Sequence, residues 1–329
     1  MFDVSQFKTL QPQYEILENA ITQYPNDHLP HREQIALEQL KNQISFFSSK
    51  ETSPSLNFNP VDLDWINTIT TLGNRSQEQD EGKTNYQAGT DFENIVKQSL
   101  EFLGFTIDYA YKGGAGGLDL FCSQPYPLIG ECKAGKKIPN DTAVQLLNLG
   151  TLRLKDKNLI QQTTKLIIGP GRPTPQLIDA AKVHGMAIMN PMTLEKLIKL
   201  QAQYPGSVNL FELREYLAQP GQIDDKIDEY IETVIKGLEL RSHIIQVVKN
   251  YLNNSQKTEA RVSGIHGTYC SNPPQPLSER QLHEILIELS SPLAGYLGRQ
   301  KGSYWHNDQF YFLRELTVNQ SQGNEEGGK

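Results

Sequence analysis

Cysteine is scarce in this sequence: three residues in 329, Cys122, Cys132 and Cys270. The number is odd and no Cys-x-x-Cys spacing occurs, which argues against zinc and predicts free thiols in a reducing compartment. Long apolar runs are missing as well. No stretch of 18 apolar residues is present, so no conventional membrane-spanning helix is expected, and Met-Phe-Asp-Val-Ser-Gln at the start lacks the basic and apolar segments of a signal peptide. A cytoplasmic protein without membrane association is the expectation. His28 and His31 stand too isolated to form a metal site. Excess positive charge is also lacking, with a formal net charge of -7. By region, Lys and Arg stand against Asp and Glu at 6 to 12 in residues 1–88, 13 to 10 in residues 89–203, and 12 to 16 in the remainder. Only the middle segment is positive, and phosphate binding depends on local charge, so DNA is not excluded.

That middle segment holds the informative residues: Glu93, Asp119 in Gly-Gly-Leu-Asp-Leu, and Glu131-Cys132-Lys133 at the end of an apolar run. Two carboxylates a dozen residues apart can sit on neighbouring strands and grip a hard divalent cation. A lysine two residues beyond the second stays on the same strand face. Magnesium takes oxygen ligands and keeps several waters, so Asp119, Glu131, the backbone carbonyl of Cys132 and a scissile phosphate would complete its shell, with Glu93 in support. Such a cation lowers the pKa of a water and offsets charge on a phosphorane. Lys133 would stabilise charge or orient the water. These are the parts of a metal-dependent phosphodiesterase.

The local pattern gives each residue a place. Phe92, Ile95, Val96, Leu100 and Leu103 follow the helical period from Gly89 until Gly104 stops it. Strands are expected at 105–111, 118–122 and 127–133, with a turn at 113–117. Plainer accounts compete. Thr90 and Glu93 have capping-box spacing. Asp119 could close a turn, although a carboxylate between Leu118 and Leu120 is costly if unpaired. Glu131 and Lys133 could be a same-face ion pair, and Lys136 and Lys137 a solvated loop. Gln145 lies on an amphipathic helix among Val144, Leu146, Leu147 and Leu149.

The pattern resembles the PD-(D/E)xK nuclease superfamily, in particular its Mrr-like restriction endonuclease branch, with Glu93, Asp119, Glu131 and Lys133 at the motif positions. Leu118 stands where proline is usual. Segments 164–171, 175–184, 186–189 and 194–198 resemble that branch's closing strand, helix, short strand and helix. The resemblance covers residues 89 to about 200. It implies an α/β fold with a mixed β-sheet flanked by helices, magnesium dependence with manganese as a substitute, and an endonuclease acting on DNA. It also implies a catalytic approach for Gln145, while Lys136 and Lys137 are candidates for nucleic-acid contact. An inactive DNA-binding or regulatory protein with the same fold, and a nuclease for RNA or branched substrates, remain as alternatives. A double-strand cutter with one site per chain generally works as a pair, so a homodimer is expected.

Around this segment, residues 1–88 predict a helical region, with helices at 14–21, 31–47 and 61–72 and a flexible linker at 74–87. Residues 204–240 predict a helical connector. Residues 241–318 predict helix, strand, helix, helix and hairpin, the order of a winged helix. There 278–289 and 292–301 are the expected helices and 303–315 the hairpin. Tyr296, Arg299, Gln300 and Lys301 would contact DNA from a recognition helix at 292–301. Residues 319–329, polar and glycine-rich, read as a tail.

Overall fold

A computed structural model describes residues 63–75, 82–108, 117–291 and 294–318. The helices expected at 14–21 and 31–47, most of the expected turn at 113–117 and the tail at 319–329 lie outside the described residues. The chain divides into two units, the first among the described residues running to 231 and the second from 232.

The first unit is an α/β layer structure. A 3-10 turn (Asp64–Thr68) leads into α1 (Ile69–Asn74), followed by α2 (Asn85–Leu103), β1 (Thr106–Ile107), β2 (Leu120–Gln124) and β3 (Leu128–Cys132). Then come α3 (Thr142–Leu154), α4 (Lys157–Gln162), β4 (Thr164–Ile168), α5 (Pro175–His184), β5 (Ala187–Met189), α6 (Pro191–Gln203), α7 (Leu210–Leu217) and β6 (Gly221–Gln222). The six strands stand in sequence order. β1 to β3 form an antiparallel meander, while β3 to β6 run parallel. A mixed sheet flanked by helices is therefore present.

Strand alternation sorts the two faces. Ile129, Ile167 and Ile188 pack with Ala143 and Leu146 of α3 and Leu177 and Ala181 of α5. α1, α2 and α6 pack on one another, and α2 also contacts β3. Gly130 is required where β3 meets its neighbours: a Cβ there would lie 2.8 Å from the Leu166 carbonyl oxygen and 2.9 Å from the Leu120 side chain. β3 thus ends buried on both faces, and Glu131 is its penultimate residue.

Several expectations are corrected here. α2 starts at Asn85 rather than Gly89, because Thr84 and Gln87 form the capping box and Gly89 sits in open space within the helix. Residues 85–87 are helix rather than linker, and Glu93 is mid-helix rather than a capping residue. The sheet unit also reaches past residue 203, since β6 adds to β5 as an edge strand. The end of the connector expected at 204–240 and the helix expected to open residues 241–318 are one helix, α8 (Asp224–Ser255), with no proline to interrupt it.

The second unit contains the later part of α8, β7 (Ala260–Arg261), α9 (Val262–Tyr269), α10 (Glu279–Leu289), β8 (Leu297–Gln300) and β9 (Gln309–Phe312). Its sheet has the order β7-β9-β8. Ile244, Val248, Ile265, Leu282, Leu286, Leu297 and Phe310 share its core. Ser278 and Gln281 form the expected capping box of α10. The helix expected over 292–301 is not formed. Leu297–Gln300 is a strand paired with Gln309–Phe312. Gly295 turns the chain at φ 61°, and Gly298 leaves room for the Tyr311 ring, which a Cβ would meet at 1.9 Å. The hairpin accordingly starts earlier than residue 303, and 301–308 form its loop.

Candidate functional site

The meander brings the predicted carboxylates together. β2 and β3 pair Leu120 with Gly130, so one step further along the same register Asp119 stands across from Glu131. The Cys132 amide donates to Asp119 Oδ2 at 2.8 Å, fixing that carboxylate at the sheet end. Lys133 lies beside both acids. Its Nζ is 2.8 Å from Glu131 Oε2 and 3.7 Å from Asp119 Oδ2. One ammonium thus holds two carboxylates that would otherwise repel each other.

Burial sharpens the arrangement. The Glu131 side chain is fully buried, and its Oε1 has no hydrogen-bond partner. Burial first, and then the charge of Asp119, push the Glu131 pKa up to about 8 against the pull of Lys133. For Lys133, burial opposes the charge, but Glu131 and Asp119 hold its pKa above the ordinary value. Glu93, on α2, is raised by burial and by Asp119 and lowered by Lys97 and Lys133, which sets it within the same electrostatic group. Burial and the same three acids also push the Cys132 thiol well up, so it is an inert neutral group.

Sequence reasoning missed Lys97. It lies one turn after Glu93 and 3.9 Å from it, and the signal was the i,i+4 spacing from a residue already singled out. It also missed Arg172, exposed in the loop that follows β4. Gly171 of that loop packs on the Lys136 backbone, where a Cβ would lie 2.8 Å from the carbonyl oxygen. Lys136 and Lys137 are themselves exposed. Three basic residues therefore occupy adjoining loops that follow β3 and β4. Gln145 is half-buried on α3, and its backbone amide bonds to Asp141; no hydrogen bond joins its side chain to the carboxylates.

The residues expected on a recognition helix are differently placed. Arg299, on β8, donates to buried Asp308 through Nε at 3.0 Å and Nη2 at 2.6 Å. Gln300 donates to Glu259, and the Arg314 guanidinium covers the Tyr296 ring at 4.6 Å. Lys301 is exposed. Arg299 and Tyr296 thus serve the structure of the second unit, and Gln300 is held by a neighbouring side chain at its surface.

Among the described residues no three His, Cys, Asp or Glu side chains already form a ligand cage. The carboxylate pair nonetheless suits a hard divalent cation, because Glu131 Oε1 is a buried acceptor without a donor and a cation would relieve the repulsion by Asp119 that helps to raise the Glu131 pKa. Two carboxylates with water and phosphate oxygens are sufficient for magnesium. Among the described residues no helix is long and apolar enough to cross a membrane. Comparison of the chain with protein-family models, with curated proteins and with solved structures finds no match.

Proposed function

We propose that this chain is a metal-dependent endonuclease of the PD-(D/E)xK type acting on DNA. The observation that carries the reading is the pairing of Asp119 with buried Glu131 at adjoining strand ends, with the Lys133 ammonium between them and one Glu131 oxygen unpartnered. A solvated surface ion pair has no reason to bury a carboxylate with its second oxygen unsatisfied, which costs about 1–3 kcal/mol. The order helix, three-strand meander, two helices, strand, helix, short strand, helix, with Asp119 just before β2 and Glu131 on β3, agrees with the resemblance.

Asp119, Glu131 and the Cys132 carbonyl would hold a magnesium ion, or manganese in its place. Bound there, the cation supplies Lewis-acid activation of a water and of the scissile phosphate. Lys133 holds both carboxylates in place and presents positive charge where the attacked phosphate gains negative charge. Glu93, its pKa raised and Lys97 beside it, is the candidate to accept a proton from the attacking water. Lys136, Lys137 and Arg172 would draw the phosphate backbone towards the site.

In the second unit, helix, strand, helix, helix and hairpin with the sheet order β7-β9-β8 supports a winged helix. α10 would then take the recognition position in place of residues 292–301. Its exposed side carries Glu279, Glu284 and Glu288, and the cations beside it are already engaged, Arg280 with Glu284 and Arg241 with Glu288. Such a surface offers phosphate no unengaged cation, so for this unit we favour contact with protein over contact with DNA. The cytoplasm and a homodimer remain the expected setting and assembly.

The test is a substrate screen with magnesium, manganese, calcium or chelator. Plasmid, methylated plasmid, single-stranded DNA, RNA and branched DNA are offered to the full chain. Cutting of at least one DNA with magnesium and none in chelator is expected. Metal-independent cutting, or cutting of RNA alone, contradicts the reading.

A further inference from the structure

One side of α3 faces the sheet and the other faces solvent. Ala143, Leu146 and Gly150 are buried, and the opposite side carries Asp141, Val144, Asn148, Leu152 and Lys155, all exposed. These residues recur at intervals of three or four, so they form one stripe along the helix. Val144 is 55% and Leu152 66% exposed. Asp141 and Lys155 are the N-cap and C-cap residues, and the Asp141 side chain makes no capping hydrogen bond. Among the described residues neither charge has an ion-pair partner.

The stripe has the same spacing in both directions from its middle. Counted from Asn148, the apolar residues stand four before and four after, about 6 Å along the axis on either side. The charges stand seven before and seven after and are of opposite sign, about 10 Å from the same point. Plainer causes cover the parts. A lone exposed valine or leucine is ordinary on a protein surface, and the helix dipole favours an acid at the first turn and a base at the last. Neither cause accounts for equal spacing about one residue, with the apolar pair inside and two unpaired charges outside.

We infer that this stripe is the contact surface for a second copy of the chain, with the two α3 helices antiparallel about a two-fold axis at Asn148. An isologous contact needs a surface complementary to itself. An antiparallel helix pair sets each residue before the axis against the one equally far after it, so Val144 packs on the partner's Leu152 and Asp141 pairs with the partner's Lys155. Each contact occurs twice. The two Asn148 side chains meet at the centre, a polar pair of the kind that fixes register between helices. One helix crossing buries less than the roughly 800 Å2 per partner of a standard interface, so the association is weak and depends on concentration. None of the five residues belongs to the carboxylate site, and the inference does not rest on the nuclease reading.

The probe is the full chain alone, in chelator and low salt, followed by sedimentation equilibrium over a range of concentrations, with circular dichroism to show that each variant is folded. Wild type is expected to pass from monomer to dimer as concentration rises. Leu152→Glu is expected to stay monomeric. Asp141→Lys and Lys155→Asp are each expected to weaken self-association roughly tenfold or more, because each turns two attractive pairs per dimer into repulsive ones. Mixed in equal amounts, these two variants are expected to associate as wild type does, since every pair in the mixed dimer again joins opposite charges. Asp119→Ala is expected to dimerise like wild type, whatever becomes of cleavage. A wild type that stays monomeric to its highest soluble concentration overturns the inference. So does a dimer whose affinity Leu152→Glu and both charge variants leave unchanged, which places the contact on another surface. Weakening in each single charge variant with no recovery in the mixture also overturns it, as damage to α3 rather than loss of a pairing.

Discussion

Replacing Glu131 by glutamine isolates what it costs to keep a carboxylate at the end of β3. The side chain is fully buried, and its pKa is pushed from 4.5 to about 8 by burial and by Asp119. The folded chain therefore holds this proton more tightly than the unfolded one. Its contribution to stability is complete below pH 4.5 and is lost as pH rises through about 8. Linkage sets a ceiling of about 5 kcal/mol for such a shift. The pull of Lys133 is already contained in that shift; relaxation and water entry around the ionised carboxylate reduce the ceiling, which leaves about 2 kcal/mol as the expected gain of Glu131→Gln over wild type near pH 9. That corresponds to about 4–8 °C in Tm for a unit of this size. Near pH 5 the two proteins should melt together. The assay is thermal unfolding from pH 5 to 9 in chelator, followed by magnesium addition at pH 8, which should stabilise wild type and leave Glu131→Gln unmoved. A Tm difference that does not grow with pH would refute the reasoning.

The second unit and the glycines give independent tests. Asp308 is 1% exposed and accepts from His283, Arg299 and the Gly302 amide, so Asp308→Asn should cost about 3 kcal/mol or more. Burial opposes its charge, but these hydrogen bonds hold its pKa below the ordinary value; acid unfolding should therefore show the gap between wild type and variant closing as pH falls through that depressed pKa. Gly298→Ala should destabilise the unit by about 1–3 kcal/mol, because the new methyl overlaps the Tyr311 ring, and in denaturant titration Tyr311→Ala should recover much of the loss. Arg280→Glu should leave DNA affinity and its salt slope unchanged, since α10 is already acidic; a slope reduced by about one unit would instead show a phosphate contact there.

The residues that could be found from the sequence are those whose position follows from short-range geometry. Period-two alternation puts Glu131 and Lys133 on one face of β3, and the meander puts Asp119 across from them. The same local rules failed where tertiary contacts decide. Ser291-Pro292 imitates a helix start, yet the chain beyond Gly295 becomes β8, because Leu297 joins the core beside Phe310 and Gly298 admits Tyr311. α9 carries two glycines and lies outside the helices expected at 278–289 and 292–301. It forms because Gly264 lets the Tyr251 ring approach, where a Cβ would lie 2.6 Å from the hydroxyl, and because Val262, Ile265 and Tyr269 fill the core. Arg299 reads in the sequence as a DNA-contacting cation, and only the fold reveals Asp308 beneath it. Lys97 could have been found by following the helical spacing one turn beyond Glu93.

The most direct test of the carboxylate site compares plasmid cleavage by wild type and Asp119→Ala in magnesium, with circular dichroism to show that both are folded. The account predicts nicking or cutting by wild type, none in chelator, and a loss of at least about a hundredfold in Asp119→Ala, because removing a metal ligand removes most of the charge stabilisation on the phosphate. Undiminished cutting by folded Asp119→Ala would contradict it.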